Sequence, residues 1–176
     1  MIGNRGQFSA GRKAVIPVAT GEVWVTSQKV ILRSDGIGSC VVVAAHDPKR
    51  MIGGLGHIML PGKSANRGFM PNRKYAQDAI DDLLFKMKRL GSVAEDMTAC
   101  LIGGGNVLKD ENDTLCRALI DSVTEILKQE GIRVMETAVG GVIRRSAWLN
   151  IEDGSVYCAE GDRTEALLYK GGRSHG

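Results

Sequence analysis

The chain has 176 residues, 43% of them hydrophobic and 24% charged, which is typical of a globular protein with a substantial core. Its net charge of +3 is too small and too scattered to indicate nucleic-acid binding on electrostatic grounds, and favours an acidic protein partner only as a preference. No apolar segment approaches transmembrane length, and the start, MIGNRGQFSAGRK, lacks the apolar region of a secretory signal. We therefore expect neither nucleic-acid binding nor insertion into a membrane.

The four cysteines are far apart in the sequence and form no C-x-x-C pair; they are Cys40, Cys100, Cys116 and Cys158. Together with only three histidines, this spacing argues against a structural zinc site. Unpaired cysteines and the missing signal predict a protein of the reducing cytoplasm. We expect neither a metal nor an organic cofactor.

In chain order, the first segment, residues 1–13, is glycine-rich, polar and basic and predicts a flexible N-terminal arm. Residues 14–169 are predicted to form a single domain, and residues 170–176 a flexible C-terminal tail. β-Branched and apolar runs in the domain predict strands. These strands cover residues 23–26, 29–32, 39–45, 52–60, 97–105 (opening into a glycine loop) and 132–139, with a hairpin over 148–161.

Two segments between these strands carry apolar residues at helical spacing, residues 74–91 and 112–131. Each ends in a glycine, Gly91 or Gly131, at the position that favours a left-handed cap. Helices in the middle of the chain, with strands before, between and after them, predict an α+β fold of layered mixed β-sheets packed with two main helices.

The segment Asp47–Arg50 has the chemistry of a tight turn and is predicted to join two of the strands. If His46 then faces Met51, antiparallel pairing sets Cys40 directly opposite His57, with Cβ atoms roughly 4.5–5.5 Å apart. A bulge at Gly53-Gly54 would shift this register.

A thiol beside an imidazole is a pattern of nucleophilic catalysis. The thiolate of Cys40 would attack, while His57 would lower the thiol pKa and protonate a leaving ammonia or amine. Gly36 and Gly38 leave room for a substrate, and backbone N–H groups at Cys40 and its neighbours would face an oxyanion.

The second nitrogen of the imidazole needs its own partner if the tautomer is to be fixed. Ser34 and Asp35 are the two candidates for that partner. Structural roles compete with catalysis: Cys40 also fits a small buried hydrophobe, and His57 fits a core histidine. His46, next to the turn, is predicted to be exposed and structural.

The same residues resemble the chemoreceptor glutamine deamidases, the CheD family. The likeness lies in G-x-G-S-C ending at Cys40, followed by D-P-x-x-x-x-G-G-x-x-H-x-M-L-P around His57. It continues through Y-A-x-x-A-I from Tyr75, the strand L-I-G-G-G from Leu101, and later glycine and arginine segments, over about residues 23–160.

The resemblance implies hydrolysis of glutamine side-chain amides to glutamate on chemoreceptor cytoplasmic helices, within a fold shared with deamidating toxins. Carried over by position, Cys40 is the nucleophile, His57 the general acid/base, and Ser34 stands where the family has threonine. Gly38 and Ser39 would form the oxyanion and substrate loop. A response-regulator phosphatase of the CheC type is the further partner implied.

Two departures from the family pattern keep alternatives open. Ser34 lacks the methyl group of threonine, and residues 113–117 replace the family's I-G-x-R-N segment. A non-catalytic adaptor that binds receptors or the phosphatase is the main alternative. A thiol protease is disfavoured because no C-G-x-C-W element is present, and a redox sensor because no second cysteine is close to Cys40 in sequence.

Overall fold

Ten strands and two α-helices are found in the computed structural model, which describes residues 13–66, 68 and 70–172. The strands are β1 (Val15–Pro17), β2 (Val23–Thr26), β3 (Ile31–Ile37), β4 (Val41–Asp47), β5 (Ile52–Ile58), β6 (Thr98–Gly103), β7 (Arg133–Val139), β8 (Arg145–Asn150), β9 (Val156–Glu160) and β10 (Ala166–Tyr169). The helices are α1 (Ala76–Arg89) and α2 (Leu115–Gln129), and a short 3-10 turn covers Ala94–Asp96.

The strands form two five-stranded sheets, ordered β1-β3-β8-β9-β10 and β2-β5-β4-β6-β7. Each sheet is mixed, because β1–β3 and β6–β7 are parallel pairs while the other neighbours are antiparallel. The predicted α+β class, with layered mixed sheets and two main helices, is confirmed.

Strand β4 separates two hydrophobic layers because its successive side chains point to opposite faces. Val41 and Val43 pack with the buried faces of α1 and α2. Val42 and Ala44 pack in the opposite direction, against Leu32 and other inward residues of the first sheet. The order of layers is therefore helices, second sheet, first sheet, and every residue of β4 is buried.

Helix α1 lies close on the second sheet because β5 carries glycine where the helix crosses it. A Cβ atom at Gly54 would lie 2.6 Å from Leu83 Cδ1 of α1, so a larger residue there would force the neighbouring side chains or the helix to shift. Gly91 and Gly131 follow the two helices with positive φ angles of 109° and 73°, as the cap pattern predicts.

The hairpin between β4 and β5 differs from the predicted register by two residues. Asp47 pairs with Ile52, and the connection is residues 48–51, with Met51 at φ 53°. The buried Asp47 carboxylate accepts hydrogen bonds from the N–H groups of Lys49 and Arg50, which holds the turn one residue later than expected. His57 therefore faces Val42, and the predicted direct pairing with Cys40 is wrong.

His46 is buried rather than exposed, which corrects the sequence prediction. It lies on the inner face of β4, where Nε2 is 2.9 Å from the Ile151 carbonyl oxygen. The absence of a side chain at Gly154 leaves room for the ring.

Two of the strands were not predicted from the sequence, and two others extend beyond their predicted bounds: β3, and β8, which begins at Arg145 instead of residue 148. β1 and β10 are short strands at the edges of the first sheet, and β3 runs to Ile37 instead of ending at residue 32. Short edge strands carry little apolar periodicity, so they give a weak sequence signal. Residues 1–12 and 173–176, most of the predicted arm and tail, lie outside the described residues.

Candidate active site

Cys40 lies at the bend that leads from β3 into β4, and a glycine loop after β6 holds it in place. The Gly104 N–H donates to the Cys40 carbonyl oxygen at 2.6 Å, and the Gly105 N–H donates to the Gly38 carbonyl oxygen at 2.8 Å. These bonds use carbonyl oxygens of residues 38–40 rather than their N–H groups. These two hydrogen bonds join the motifs G-x-G-S-C and L-I-G-G-G, and we call the joined segments, residues 36–40 and 101–105, the glycine clamp.

Gly103 makes this clamp possible. Its φ of 116° is unfavourable for residues with a side chain, and a Cβ atom there would collide with the Cys40 carbonyl oxygen and lie 2.5 Å from Ile37 Cγ2. The obstruction is partly backbone, so rotamer changes would not relieve it.

Replacing Gly103 with alanine is expected to destabilise the protein by about 2–4 kcal/mol, from backbone strain plus displacement of Cys40. That corresponds to a melting temperature lower by roughly 5–15 °C. Gly91→Ala is the matched control, because Gly91 has φ 109° but no atom of the described residues within 4 Å of the position that a Cβ atom would occupy, so it carries the strain without the collision. Equal melting temperatures for the two variants, measured by calorimetry, would contradict this account.

A cleft of about 380 Å³ opens beside Cys40. Gly36, Gly38, Ser39 and Cys40 form one wall, and residues 105–108 with the start of α2 form the other. Gly38 is buried, Ser39 exposed and Cys40 half-buried, so the predicted substrate loop does line an opening that a side chain from outside could enter.

His57 lies on the same face of the second sheet as Cys40. It is directly opposite Val42, two residues along from Cys40, and Val42 and Cys40 both belong to the layer between the sheets. In an ideal ladder, such a diagonal pair is about 7–8 Å apart. The shift of two residues preserves the face, whereas a shift of one would have reversed it.

The His57 imidazole is 2% exposed, and neither ring nitrogen has a hydrogen-bond partner within the part of the chain described. Burial lowers the pKa of His57 below its ordinary value of 6.5. The Val18 carbonyl faces the ring and partly opposes this shift, although outside hydrogen-bond geometry. The imidazole is therefore neutral at pH 7, and it is not among the residues that line the cleft.

Ser34 and Asp35 point in opposite directions from β3. The Ser34 hydroxyl is buried and donates to the Val18 carbonyl oxygen at 2.7 Å, so it reaches His57 through that carbonyl and not directly. Asp35 is exposed and accepts a hydrogen bond from Arg33 Nε at 2.9 Å. Of the two candidates for orienting the imidazole, only Ser34 is on the side of His57.

Within the described part of the chain, the Cys40 thiol has no ion-pair partner that would activate it. Burial raises the pKa of Cys40 above its ordinary value of 9.0, while its own backbone N–H opposes the rise. The sequence-based expectation that the histidine lowers the pKa of this cysteine is wrong for the resting site. The pair consists of a neutral thiol and a neutral imidazole.

The fold adds residues to the cleft that sequence spacing did not indicate. Cys116, Asp113, Leu108, Leu115 and Arg144 all line it. Burial first, then Asp113, raise the pKa of Cys116 to about 11, and Cys40 adds a smaller rise. Segment 113–117, which departs from the family pattern, is therefore part of this wall, and Cys40 does have a second cysteine in its cleft.

Neither a metal-binding cluster nor a membrane-crossing helix is found among the described residues. Within them, no group of three or more His, Cys, Asp or Glu side chains is arranged to hold a metal ion. None of the helices in that part of the chain has the length and apolar character needed to cross a membrane.

The family profile described as CheD chemotactic sensory transduction matches residues 59–160. A Chlorobium luteolum protein named "Probable chemoreceptor glutamine deamidase CheD" is 33% identical over 150 residues, covering 85% of this chain and 75% of that protein. The chemoreceptor glutamine deamidase CheD of Thermotoga maritima is 30% identical over 142 residues, covering 79% of this chain and 87% of its own.

Among solved structures, the Bacillus licheniformis hypothetical protein YfiH overlaps 66% of this chain and 51% of its own, with a TM-score of 0.43 and 16% identity. The profile match and the relatives define a chemotaxis protein of the deamidase class. The chain belongs to the CheD family.

Proposed function

We propose that this protein hydrolyses the side-chain amide of glutamine to glutamate on chemoreceptor cytoplasmic helices, with Cys40 as the nucleophile and His57 as the general acid/base. The observation that carries the proposal is the half-buried Cys40 thiol at the wall of a cleft, with a neutral buried histidine on the same face of the sheet. Two curated relatives bear the name of this activity.

The first step is proton transfer from the Cys40 thiol to His57, followed by attack of sulfur on the glutamine carboxamide carbon. A thiol with a raised pKa needs a base, and a buried imidazole with a lowered pKa is unprotonated and ready to accept. Closure of the gap between the two residues upon substrate binding is part of the proposal, since catalytic hydrogen bonds tighten in the reactive complex.

The tetrahedral oxyanion would be stabilised by N–H groups of the loop formed by Gly38, Ser39 and Cys40. The hydrogen bonds to the glycine loop after β6 use the carbonyl oxygens of Gly38 and Cys40, not the N–H groups of this substrate loop. His57 then gives its proton to departing ammonia, leaving a glutamyl thioester. Water hydrolyses this thioester with the same histidine as base, which releases glutamate and restores the thiol.

Incubation of the wild-type protein with a purified receptor cytoplasmic fragment tests the proposal. Peptide mass spectrometry should detect conversion of particular glutamines to glutamate, at a rate proportional to protein concentration. A fragment incubated in buffer alone measures spontaneous deamidation. Binding of the fragment without conversion above that background would contradict the enzyme and favour the adaptor.

We infer further that the protein acts in the cytoplasm, where receptor signalling helices are found, and that a CheC-type phosphatase is its second partner. Both inferences rest on the family resemblance. The inference of a CheC-type partner is checked by purifying this protein and such a phosphatase from the same cell separately, mixing them, and measuring whether they then co-purify.

Ser34→Ala is expected to lower kcat/KM about tenfold, because Ser34 restrains the Val18 carbonyl that faces His57. Freed of the hydroxyl, that carbonyl becomes a better acceptor for the imidazole, which raises the pKa of His57. The acid limb of the pH–rate profile should therefore move to higher pH. Ser34→Thr, which keeps the hydroxyl, should leave kcat/KM and the acid limb unchanged. If the acid limb does not shift in Ser34→Ala, Ser34 has only a structural role.

A further inference from the structure

Two leucines stand at the mouth of the cleft that contains Cys40. Leu108 is 87% exposed and Leu115 is 45% exposed, and both line this cleft. Large apolar side chains cost free energy when they remain in water, and neighbouring ones next to a reactive group indicate a binding surface. Val107 lies below them, where a Cβ atom at Gly38 would be 3.3 Å from its Cγ2. The apolar surface thus leads from the mouth towards Cys40.

Hydrogen bonds within the loop of residues 106–110 hold Leu108 in its exposed position. Asn106 Nδ2 donates to the Asp110 carbonyl oxygen at 2.7 Å, and the Asp110 N–H donates back to Asn106 Oδ1 at 2.9 Å. Lys109 adopts φ 54°, a strained angle for a residue with a side chain, while its N–H donates to the Asn106 carbonyl. Reciprocal bonds around a strained residue hold Leu108 outward.

Leu115 is fixed on the facing side by the start of α2. It is the first residue of that helix, and the Cys116 N–H that follows it donates to Asp113 Oδ1 at 3.0 Å. Neither leucine belongs to the hydrophobic core clusters, so their position is not explained by folding.

We propose that Leu108 and Leu115 form a clamp, here called the leucine clamp, for an aliphatic side chain three or four residues from the target glutamine on the receptor helix. On a helix, only residues at those separations share a face with the glutamine. When the glutamine reaches Cys40, such a neighbour stays at the mouth of the cleft, where the two leucines are. This inference rests on the proposed function and identifies what selects one glutamine over another.

Leu108→Ala tests the leucine clamp, assayed with the receptor fragment by mass spectrometry at several fragment concentrations. KM should rise about tenfold, as expected for loss of one leucine contact, while kcat changes by less than about twofold. Leu108→Met, which keeps an apolar side chain, should restore most of the KM. Leu167→Ala is the control, because Leu167 is an exposed leucine (45%, the same as Leu115) that lies on β10 beside a different cavity.

The receptor provides the second arm. Serine in place of the aliphatic residue three or four positions from the converted glutamine should raise KM for the wild-type protein, and should add little to Leu108→Ala, because both changes remove one contact. Additive effects, an unchanged KM in Leu108→Ala, an equal rise in Leu167→Ala, or a converted glutamine with no aliphatic residue at those positions would each overturn the leucine clamp.

Failure of the proposed function looks different from failure of the leucine clamp. If the wild-type protein converts no glutamine, the function itself is wrong. If the wild-type protein converts glutamine and Leu108→Ala matches it, only the leucine clamp is wrong. Iodoacetamide is too small to need the leucine clamp, so it should alkylate Cys40 at the same rate in the wild-type protein and in Leu108→Ala.

Discussion

Cys40→Ala is expected to reduce glutamine conversion to the rate measured in buffer alone. The proposed thioester requires the sulfur atom, and the other cysteine in the cleft does not replace it, because the Cys116 thiol has a pKa of about 11 and its Sγ lies 3.7 Å from the Gly105 carbonyl oxygen. Folding should be unaffected, since Cys40 is only half-buried and alanine fits where cysteine does. Time courses on the receptor fragment, followed by peptide mass spectrometry, measure the loss.

Cys158→Ala is the matched control for this experiment. Cys158 is half-buried like Cys40 but borders a different cavity, and it should retain wild-type activity. Residual protein-dependent conversion by Cys40→Ala would exclude the thioester route. Parallel loss in Cys158→Ala would point to a general effect of removing a thiol.

His57→Gln is expected to lower kcat about 10²–10⁴-fold, the usual contribution of a general acid/base. Glutamine is close to histidine in size, and neither ring nitrogen has a hydrogen bond to lose among the described residues. Because Cys40 has a raised pKa, almost no thiolate forms at pH 7 without the imidazole. Single-turnover rates on the receptor fragment separate this loss from changes in binding.

The pH dependence of the wild-type protein should identify His57 as the base. Burial lowers its pKa below 6.5, and the neutral form that accepts a proton is present above that pKa. Activity should therefore persist at pH 6.5 and fall only at lower pH. In His57→Gln this acid limb should disappear, and the residual rate should climb with pH as the Cys40 thiolate forms above 9.0.

His46→Gln is the control for removing a buried histidine. His46 also lies on the inner face of β4 with a pKa lowered by burial, and its substitution should reduce stability through the contact with the Ile151 carbonyl. Activity per folded molecule should stay at the wild-type level. If the acid limb survives in His57→Gln and vanishes in His46→Gln, His46 is the base and the assignment to His57 is wrong.

Local patterns were sufficient for part of this molecule. Helical spacing in residues 74–91 and 112–131 predicted α1 and α2, because the buried face of a helix requires an apolar residue every three to four positions. Alternation along β4 and β5 likewise set His57 on the face of Val42, in the layer against which Cys40 packs, and this survived an error of two residues in the register because side chains alternate with a period of two.

The remaining features of the site depend on the conformation of one turn and on contacts between residues far apart in the chain. The strained Met51 and the Asp47 carboxylate set the turn, the β3 strand brings Ser34 to the Val18 carbonyl, and burial between two sheets makes the pKa of Cys40 rise instead of fall. The start of α2 adds Cys116 and Leu115 to the cleft. Sequence alone predicted Cys40 and His57 as the reacting residues, from their spacing and their resemblance to the family, and it determined the face of the sheet that His57 occupies, because that face follows from the local period. Only the tertiary structure decided distances, hydrogen-bond partners and protonation, because these depend on packing and on exclusion of water.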